Sequence, residues 1–317
     1  MSKARVVVAA WMPDSVFEKL AQRRPEFDWI DGREPTVLDR TLSSANILYG
    51  LPPVPRLAQA SELRWIQLIS AGVPEELCPL AQERKIVVTN LAGLYGNSIA
   101  EYAFALMTVL ARRLHLAFRN QAARVWDRDI ARGVSNLHGK TLALVGLGDI
   151  GRAMARLARA FGMRVVACRR TGRPSPEVDR LYPLNELHAM LAEGDFVAAA
   201  APLIASTQGM LGPAEFAAMK PGVIYINVSR GPIAREDALL DALQRGHVAA
   251  AGLDVFSTEP LPADHPFWTL PQVALCPHVA GEVINQSDRP AERFARNLAA
   301  WSLSRPLEGL VDLAWGY

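Results

Sequence analysis

Three side chains that could act together on a carbonyl group each follow an apolar, β-branched run of residues. His278 comes just after Val273–Cys276, Arg230 comes just after Ile224–Val228, and Glu259 closely follows a third such run. An arginine can orient and polarise a carbonyl compound, a histidine can deliver a proton to it, and a carboxylate beside the histidine favours the protonated ring. The spacing does not show that the three meet, so their convergence is a prediction for the structure.

The other five histidines lie in surroundings typical of surface or structural residues. They fall in helical stretches, beside loop glycines or in a proline-rich loop: His115, His138, His188, His247 and His265. His278 differs because it follows a predicted strand, and the carboxyl ends of strands in open α/β sheets face the ligand crevice. We therefore expect His278 to be the general acid–base.

A glycine-rich turn stands between an apolar strand and a helix. Residues 145–151 read VGLGDIG and fit the pattern G-x-G-x-x-G. The first glycine permits the tight turn, the second lets the backbone approach a pyrophosphate, and the third lets helix and strand pack closely. The N-terminus of the helix then favours the phosphates. This context predicts a dinucleotide site that includes Gly146, Gly148, Asp149, Ile150 and Gly151.

Two arginines occupy the place where such a fold often carries an acid. The next predicted strand ends at Cys168, so Arg169 lies 18 residues after Gly151. This is close to the spacing of about 20 residues expected for the acid that binds the adenosine ribose. An acid there repels a 2′-phosphate, whereas Arg169, Arg170 and the hydroxyl of Thr171 can bind one. We therefore predict NADP(H) as the preferred cofactor, with NAD(H) as the possible second one.

Apolar runs alternate with helical segments along the whole chain. An amphipathic stretch from about Ser98 to Arg119 predicts one long helix, and Ile150–Phe161 predicts another. The predicted strands are Val6–Val8, Asn46–Tyr49, Trp65–Ile69, Ile86–Thr89, Thr141–Val145, Met163–Cys168, Phe196–Ala201, Val223–Val228, Val248–Leu253 and Val273–Cys276. Alternation at this pace predicts an α/β fold with parallel sheets covered on both faces.

Length and composition limit the classes of protein to consider. A chain of 317 residues can form two domains, and 34 lysines and arginines against 32 acidic residues predict no nucleic-acid or membrane-surface partner. The longest apolar stretches are about half of what spans a bilayer, and residues 1–10 predict a strand rather than a signal peptide. Cys78, Cys168 and Cys276 form no CxxC pair. We expect a cytoplasmic protein without a metal site or disulfides.

At these residues the sequence resembles the D-isomer-specific 2-hydroxyacid dehydrogenases, especially their glyoxylate/hydroxypyruvate reductase branch. The resemblance extends over nearly the whole chain. The segments that carry it are WIQLISAGV at 65–73, NSIAEYAFALM at 97–107, GKTLALVGLGDIGRAMARLARAFGM at 139–163, INVSRGPI at 226–233, GLDVFSTEPLPADHPFWTLPQVALCPHVAG at 252–281 and NLAAWSLSRPLEGLVD at 297–312.

The resemblance implies a role for each candidate residue. Arg230 would hold the substrate carboxylate and polarise the keto oxygen, His278 would be the general acid–base, and Glu259 would orient it. The backbone N–H groups of Ala71 and Gly72 would also bind the substrate carboxylate. Further positions that line the cofactor site in the family match Ala201, Pro202, Thr207, Val228, Ser229, Asp254 and Gly281.

The resemblance also implies a discontinuous domain layout. A doubly wound, Rossmann-type cofactor domain of residues 99–286 would be inserted into a flavodoxin-like α/β substrate domain of residues 1–98 and 287–317. The active site would lie in the cleft, which closes by a hinge motion, and a homodimer would form through the cofactor domain. The sequence leaves open whether Leu51 shapes the substrate pocket and whether Trp126 reaches toward a cleft, its own or a neighbour's.

Three hypotheses for the function remain. The leading one is NADPH-dependent reduction of a small 2-ketoacid, such as glyoxylate or hydroxypyruvate, to a D-2-hydroxyacid. The second is oxidation of a small anion such as phosphite, because that branch carries a similar set of arginine, glutamate and histidine. Formate oxidation is disfavoured because those relatives have glutamine where this chain has Glu259. The third hypothesis is a non-enzymatic, dinucleotide-sensing corepressor on the same fold.

Overall fold

Two parallel β-sheets, one in each of two units, form the framework of the chain. The computed structural model describes residues 3–170, 174–283 and 288–317. The first unit comprises Met1–Leu94 and Val283–Tyr317, and the second comprises Tyr95–Glu282. The predicted α/β class with parallel sheets is confirmed. No helix in the described ranges has the length and apolar character needed to cross a membrane.

The sheet of the first unit has five parallel strands in the order β2-β1-β3-β4-β5. This is the order of flavodoxin-like sheets. The strands are β1 (Arg5–Val8), β2 (Asp28–Asp31), β3 (Ile47–Tyr49), β4 (Trp65–Gln67) and β5 (Val87–Thr89). The helices are α1 (Asp14–Arg23), α2 (Pro35–Thr41), α3 (Leu77–Glu83) and, from the end of the chain, α10 (Arg289–Ser302), with 3-10 turns at Leu42–Ser44 and Val54–Gln59.

The sheet of the second unit has seven parallel strands. They are β6 (Thr141–Val145), β7 (Arg164–Cys168), β8 (Arg180–Tyr182), β9 (Phe196–Ala199), β10 (Val223–Asn227), β11 (Val248–Leu253) and β12 (Val273–Leu275). Their order, β8-β7-β6-β9-β10-β11-β12, is the Rossmann order with a seventh strand added at one edge. The helices are α4 (Gly96–Ala111), α5 (Leu114–Ala123), α6 (Asp149–Ala160), α7 (Leu187–Leu191), α8 (Pro213–Ala218) and α9 (Glu236–Gln244), with 3-10 turns at Asp129–Ala131, Leu184–Glu186, Gly231–Ile233 and Pro266–Thr269.

Burial on both faces explains why the central strands are continuous apolar runs. In β6, Leu142 and Leu144 pack into the cluster on one face of the sheet, whereas Ala143 and Val145 pack into the cluster on the other face. Each residue of such a strand therefore meets an apolar layer, whichever way its side chain points.

The sequence-based prediction missed two strands and merged two helices. The missed strands, β2 and β8, are edge strands of their sheets. They read DWID and RLY and are only partly buried, so they lack the apolar run that marks a central strand. The single helix predicted from about Ser98 to Arg119 is wrong, because the backbone turns into the left-handed region at Arg113 (φ +55°) and α5 begins directly after it.

A buried polar network in the first unit joins α10 to the sheet. The side-chain amide of Asn297 donates to Gln67 Oε1 (3.0 Å) and to the carbonyl of Glu308 (3.0 Å), and its oxygen accepts from the N–H of Glu308 (2.8 Å). Gln67 Oε1 also accepts from the hydroxyl of Thr89 (2.9 Å). Because Gln67 is the last residue of β4, this network supports the strand that leads into the 70–72 loop.

We expect Asn297→Leu to lower the free energy of unfolding by roughly 2–4 kcal/mol, because both backbone groups of Glu308 lose their buried partner. Urea denaturation followed by circular dichroism measures the change. Arg296→Ala on the same helix is the control, since its guanidinium is half exposed and its ion pair with Glu308 contributes less than about 1 kcal/mol. Equal losses in the two variants would contradict the importance of the buried network.

Candidate active site

His278 and Glu259 form a direct hydrogen bond beyond the ends of two neighbouring strands. His278 follows β12 and Glu259 follows β11, and these strands pair in parallel. The distance from His278 Nδ1 to Glu259 Oε2 is 2.7 Å. Arg230 follows β10, which pairs with the other side of β11. Three adjacent strands therefore bring the three candidate groups to one edge of the sheet.

The charge state of Glu259 determines the direction of this bond. Burial by itself raises the pKa of the Glu259 carboxyl, but the hydrogen bonds from His278 and from the N–H of Phe256, with the charges of His278 and Arg230, bring that pKa below its usual value. An ionised carboxylate only accepts hydrogen bonds. His278 therefore donates through Nδ1, which leaves Nε2 to exchange a proton with a substrate.

Hydrogen bonds between residues two or three positions apart shape the loop that carries Arg230. Asn227, the buried last residue of β10, accepts from the N–H (3.1 Å) and the hydroxyl (3.0 Å) of Ser229 and donates to the carbonyl of Arg230 (3.1 Å). The next residue, Gly231, packs directly against the backbone of Phe256, where any Cβ would overlap it. A glycine is thus required for the arginine loop to lie against the loop that carries Glu259.

Asp254 holds the backbone of the two residues that follow His278. His278 has φ +57°, a left-handed conformation that non-glycine residues rarely adopt. The two carboxylate oxygens of buried Asp254 accept from the N–H groups of Val279 and Ala280, both at 2.9 Å. Burial raises the pKa of Asp254, although these two N–H groups lower it. The sequence predicts Asp254 as a residue of the cofactor site. Its hydrogen bonds to the loop that carries His278 are visible only in the structure.

The glycine loop has the open, tight geometry that a dinucleotide requires. Gly146 has φ +104°, and a Cβ there would come within 2.8 Å of the backbone at residues 200–201. A Cβ on Gly151 would overlap the carbonyl oxygen of Gly146, whereas a Cβ on Gly148 would meet nothing within 4 Å. The loop is therefore closely packed at Gly146 and Gly151 and open at Gly148. At that open position the backbone N–H groups at the start of α6 can receive phosphates.

Asp149 and Ile150, the other two residues of the motif predicted to form the dinucleotide site, pack against neighbouring parts of the same unit. Asp149 begins α6, and its carboxylate lies against Gly96 at the start of α4, where a larger residue would overlap it. Ile150 is partly buried and packs against the apolar cluster beneath α6. These contacts fix the helix that carries the loop.

Arg169 and Arg170 lie directly beyond the end of β7, next to the strand that leads into the glycine loop. Arg169 is half-buried and Arg170 is exposed. Thr171, the third residue predicted to bind a 2′-phosphate, lies outside the described residues.

The other predicted cofactor residues follow the ends of strands in the same unit. Ala201 and Pro202 come after β9, and Thr207 closes their loop by donating to the carbonyl of Pro202 (2.6 Å) and accepting from the N–H of Ile204 (2.9 Å). The remaining three are Val228 and Ser229 after β10 and Gly281 after β12. Within residues 3–170, 174–283 and 288–317, no three histidine, cysteine or acidic side chains form a possible metal site.

Ala71 and Gly72 belong to the first unit, in the loop after β4. The hydroxyl of Ser70 donates to the carbonyl of Gly72 (2.8 Å), and the side-chain amide of Asn90 donates to the carbonyl of Ala71 (2.8 Å). Asn90 in turn accepts from the N–H of Ala92 (3.0 Å). Both bonds to the loop use its carbonyl groups, so the N–H groups predicted to bind a carboxylate take no part in them. No sequence pattern predicts this role of Asn90.

A family model and two glyoxylate reductases match the chain over most of its length. Residues 104–280 match the model of the D-isomer specific 2-hydroxyacid dehydrogenase, NAD binding domain. The chain is 35% identical to a glyoxylate reductase of Thermococcus gammatolerans over 251 residues, covering 76% of this chain and 74% of that protein. It is 33% identical to a glyoxylate reductase of Korarchaeum cryptofilum over 320 residues, covering 98% and 96% of the two chains.

A solved structure agrees with these relatives. The NADPH-dependent glyoxylate/hydroxypyruvate reductase of Sinorhizobium meliloti, solved in complex with NADP and sulfate, superimposes with a TM-score of 0.85. That structure is 26% identical and covers 99% of this chain and 100% of its own. The resemblance predicted from the sequence is confirmed: the chain belongs to the D-isomer-specific 2-hydroxyacid dehydrogenase family, in its glyoxylate reductase branch.

Proposed function

We propose that this protein reduces small 2-ketoacids of the glyoxylate or hydroxypyruvate type to D-2-hydroxyacids, with NADPH as the preferred cofactor. The observation that carries the proposal is the 2.7 Å bond between His278 and Glu259, close to the charge of Arg230 and on the sheet edge that carries the glycine loop. The names of the relatives in the glyoxylate reductase branch support the choice of substrate.

Each of the three side chains has a distinct task in the reduction. Bound NADPH supplies the hydride. The guanidinium of Arg230 holds the substrate carboxylate and draws electron density onto the keto oxygen. His278 gives its Nε2 proton to that oxygen as negative charge develops there, so the carbonyl becomes a hydroxyl group. The carboxylate of Glu259 stabilises the protonated ring beforehand and keeps Nε2 directed at the substrate.

His278→Gln is expected to lower kcat for glyoxylate reduction by about 10²–10⁴-fold, because glutamine cannot serve as the proton donor. The consumption of NADPH at 340 nm measures the rate, and the dissociation constant of NADPH should change by less than about threefold. His188→Gln is the matched control, since His188 also bonds a glutamate, Glu215 at 2.8 Å, far along the chain from the site. Turnover by His278→Gln at the wild-type rate would exclude the assignment. An inactive wild-type protein would favour the corepressor or phosphite hypothesis.

The cofactor preference is proposed from the two arginines after β7. A 2′-phosphate carries charge that Arg169 and Arg170 can pair with, and Arg169 directly follows the last residue of β7, where an acid would repel that phosphate. Two structural relatives that are 26% identical were solved with NADPH or NADP. Both observations favour NADPH over NADH.

We expect the wild-type protein to have a higher kcat/KM for NADPH than for NADH. Arg169→Asp should shift the ratio toward NADH by about tenfold or more, since a charge-assisted contact contributes about 1.5–3 kcal/mol. Arg164→Ala, at the opposite end of β7 and paired with Glu193, should leave the ratio unchanged. A wild-type preference for NADH would refute this part of the proposal.

We also propose a homodimer formed through the second unit, in the cytoplasm. Helix α5 buries none of its residues, and the large apolar side chains of Phe118 on α5 and Trp126 just beyond its end are 58% and 93% exposed. Neighbouring exposed apolar side chains can mark a protein–protein interface. The three cysteines are free, as is usual in a reducing compartment.

Light scattering coupled to size exclusion is expected to give twice the mass of the chain for the wild-type protein. Phe118→Glu combined with Trp126→Glu should shift the mass toward that of the monomer, because charged groups are costly to bury in an interface. Trp268→Glu is the control, because that side chain is 51% exposed but belongs to a distant segment of the chain, the 3-10 turn at Pro266–Thr269. A monomeric wild-type protein would end this proposal without affecting the catalytic one.

A further inference from the structure

Two glutamates hold consecutive backbone N–H groups in the loop after β11. The N–H of Phe256 donates to Glu259 Oε1 at 2.9 Å, and the N–H of Ser257 donates to Glu236 Oε1 at 2.7 Å. The second oxygen of Glu259 accepts from His278. The turn that presents Glu259 to the histidine is therefore fixed by carboxylates from two different segments.

Glu236 is itself held from a second side. It is the first residue of α9, and its Oε2 lies 3.6 Å from His265 Nε2. His265 Nδ1 accepts from the N–H of Phe267 at 3.3 Å, so Nε2 is the ring nitrogen that faces Glu236. The side chains of Glu236 and His265 are only 24% and 20% exposed. From the sequence alone His265 is interpreted as a surface or structural residue of a proline-rich loop; in the structure its ring faces Glu236.

We propose that Glu236 is a positioning residue of the active site and that His265 supports it. This inference rests on the proposed function, because it concerns how Glu259 is aimed at His278. The bond from Ser257 fixes the peptide whose neighbouring N–H holds Glu259. Without it the turn gains freedom, and a shift of about 1 Å in a catalytic constellation can cost about 10²-fold in rate.

The charged groups that change the pKa of Glu259 do not include Glu236. The carboxylate of Glu259 faces His278 and is influenced by the charge of Arg230, and it adds its own charge to that of Asp254. The contact of Glu236 is with the backbone of Ser257. Its loss is therefore expected to act on the protonation of the His278–Glu259 pair only by loosening their contact.

The test compares Glu236→Ala and Glu236→Gln with Glu259→Gln. Glu236→Ala removes the acceptor for Ser257 and is expected to lower kcat for glyoxylate reduction by about 10–100-fold. The alkaline fall of its kcat should move to lower pH, in the same direction as in Glu259→Gln. Glutamine keeps an oxygen that can accept from Ser257, so Glu236→Gln should restore most of the rate and the wild-type profile. KM for NADPH should stay within about threefold in each variant.

Glu215 provides a matched control in the same unit. Its Oε2 accepts from the N–H of Gly212 at 2.9 Å, its Oε1 lies 2.8 Å from His188 Nε2, and its side chain is 22% exposed. The chemistry is the same as at Glu236, but the loop it holds does not carry Glu259. Glu215→Ala should lower the melting temperature as a lost loop contact does, while its pH profile stays that of the wild type.

The outcomes separate a positioning role from a merely structural one. If Glu236→Ala changes only the melting temperature, as Glu215→Ala does, the inference is overturned. If Glu236→Ala does not fold, His265→Leu keeps the carboxylate but removes its support, and a smaller shift of the pH profile in the same direction is required; an unchanged profile again overturns the inference. A fully active His278→Gln would instead show that the proposed function is at fault.

Discussion

The hydrogen bond between His278 and Glu259 is the interaction on which the proposed chemistry of this protein depends. It requires an ionised carboxylate and a ring that donates through Nδ1, and both conditions follow from the lowered pKa of Glu259. The bond joins residues that follow two different strands, so its length depends on the register of those strands and on two loops. Most of the polar contacts near the site act to hold those loops.

Several of the bonds that hold these loops run from a side chain to a backbone N–H or carbonyl group. Asp254 binds two consecutive N–H groups after His278, and Asn227 closes the turn before Arg230. Gly231 lets that turn lie against the loop of Glu259. Each contact restrains the backbone next to a proposed catalytic side chain, and support of this kind keeps a site in its productive geometry. Glu236 extends the same principle by one further step.

Family membership and the geometry of the candidate site support the proposed function in different ways. The family model and the glyoxylate reductases establish which reaction class the chain belongs to. The geometry adds what similarity alone lacks: an open space over Gly148, a short bond at His278 and a half-buried Arg169 at the end of β7. The proposed preference for NADPH rests on that arginine, because a charge at this place distinguishes a ribose hydroxyl from a phosphate.

The amino-acid sequence by itself determined the α/β class, the central strands, the glycine turn and the candidates Arg230, Glu259 and His278, because these depend on apolar periodicity and on local chemistry. It did not reveal the edge strands β2 and β8, which are too exposed to form apolar runs. It also did not reveal the break between α4 and α5 at Arg113, because an arginine in the sequence does not indicate a left-handed backbone conformation. Only the tertiary structure decided which polar groups touch. Those contacts join residues from strands, loops and helices that are distant along the chain, and no local pattern records such distances.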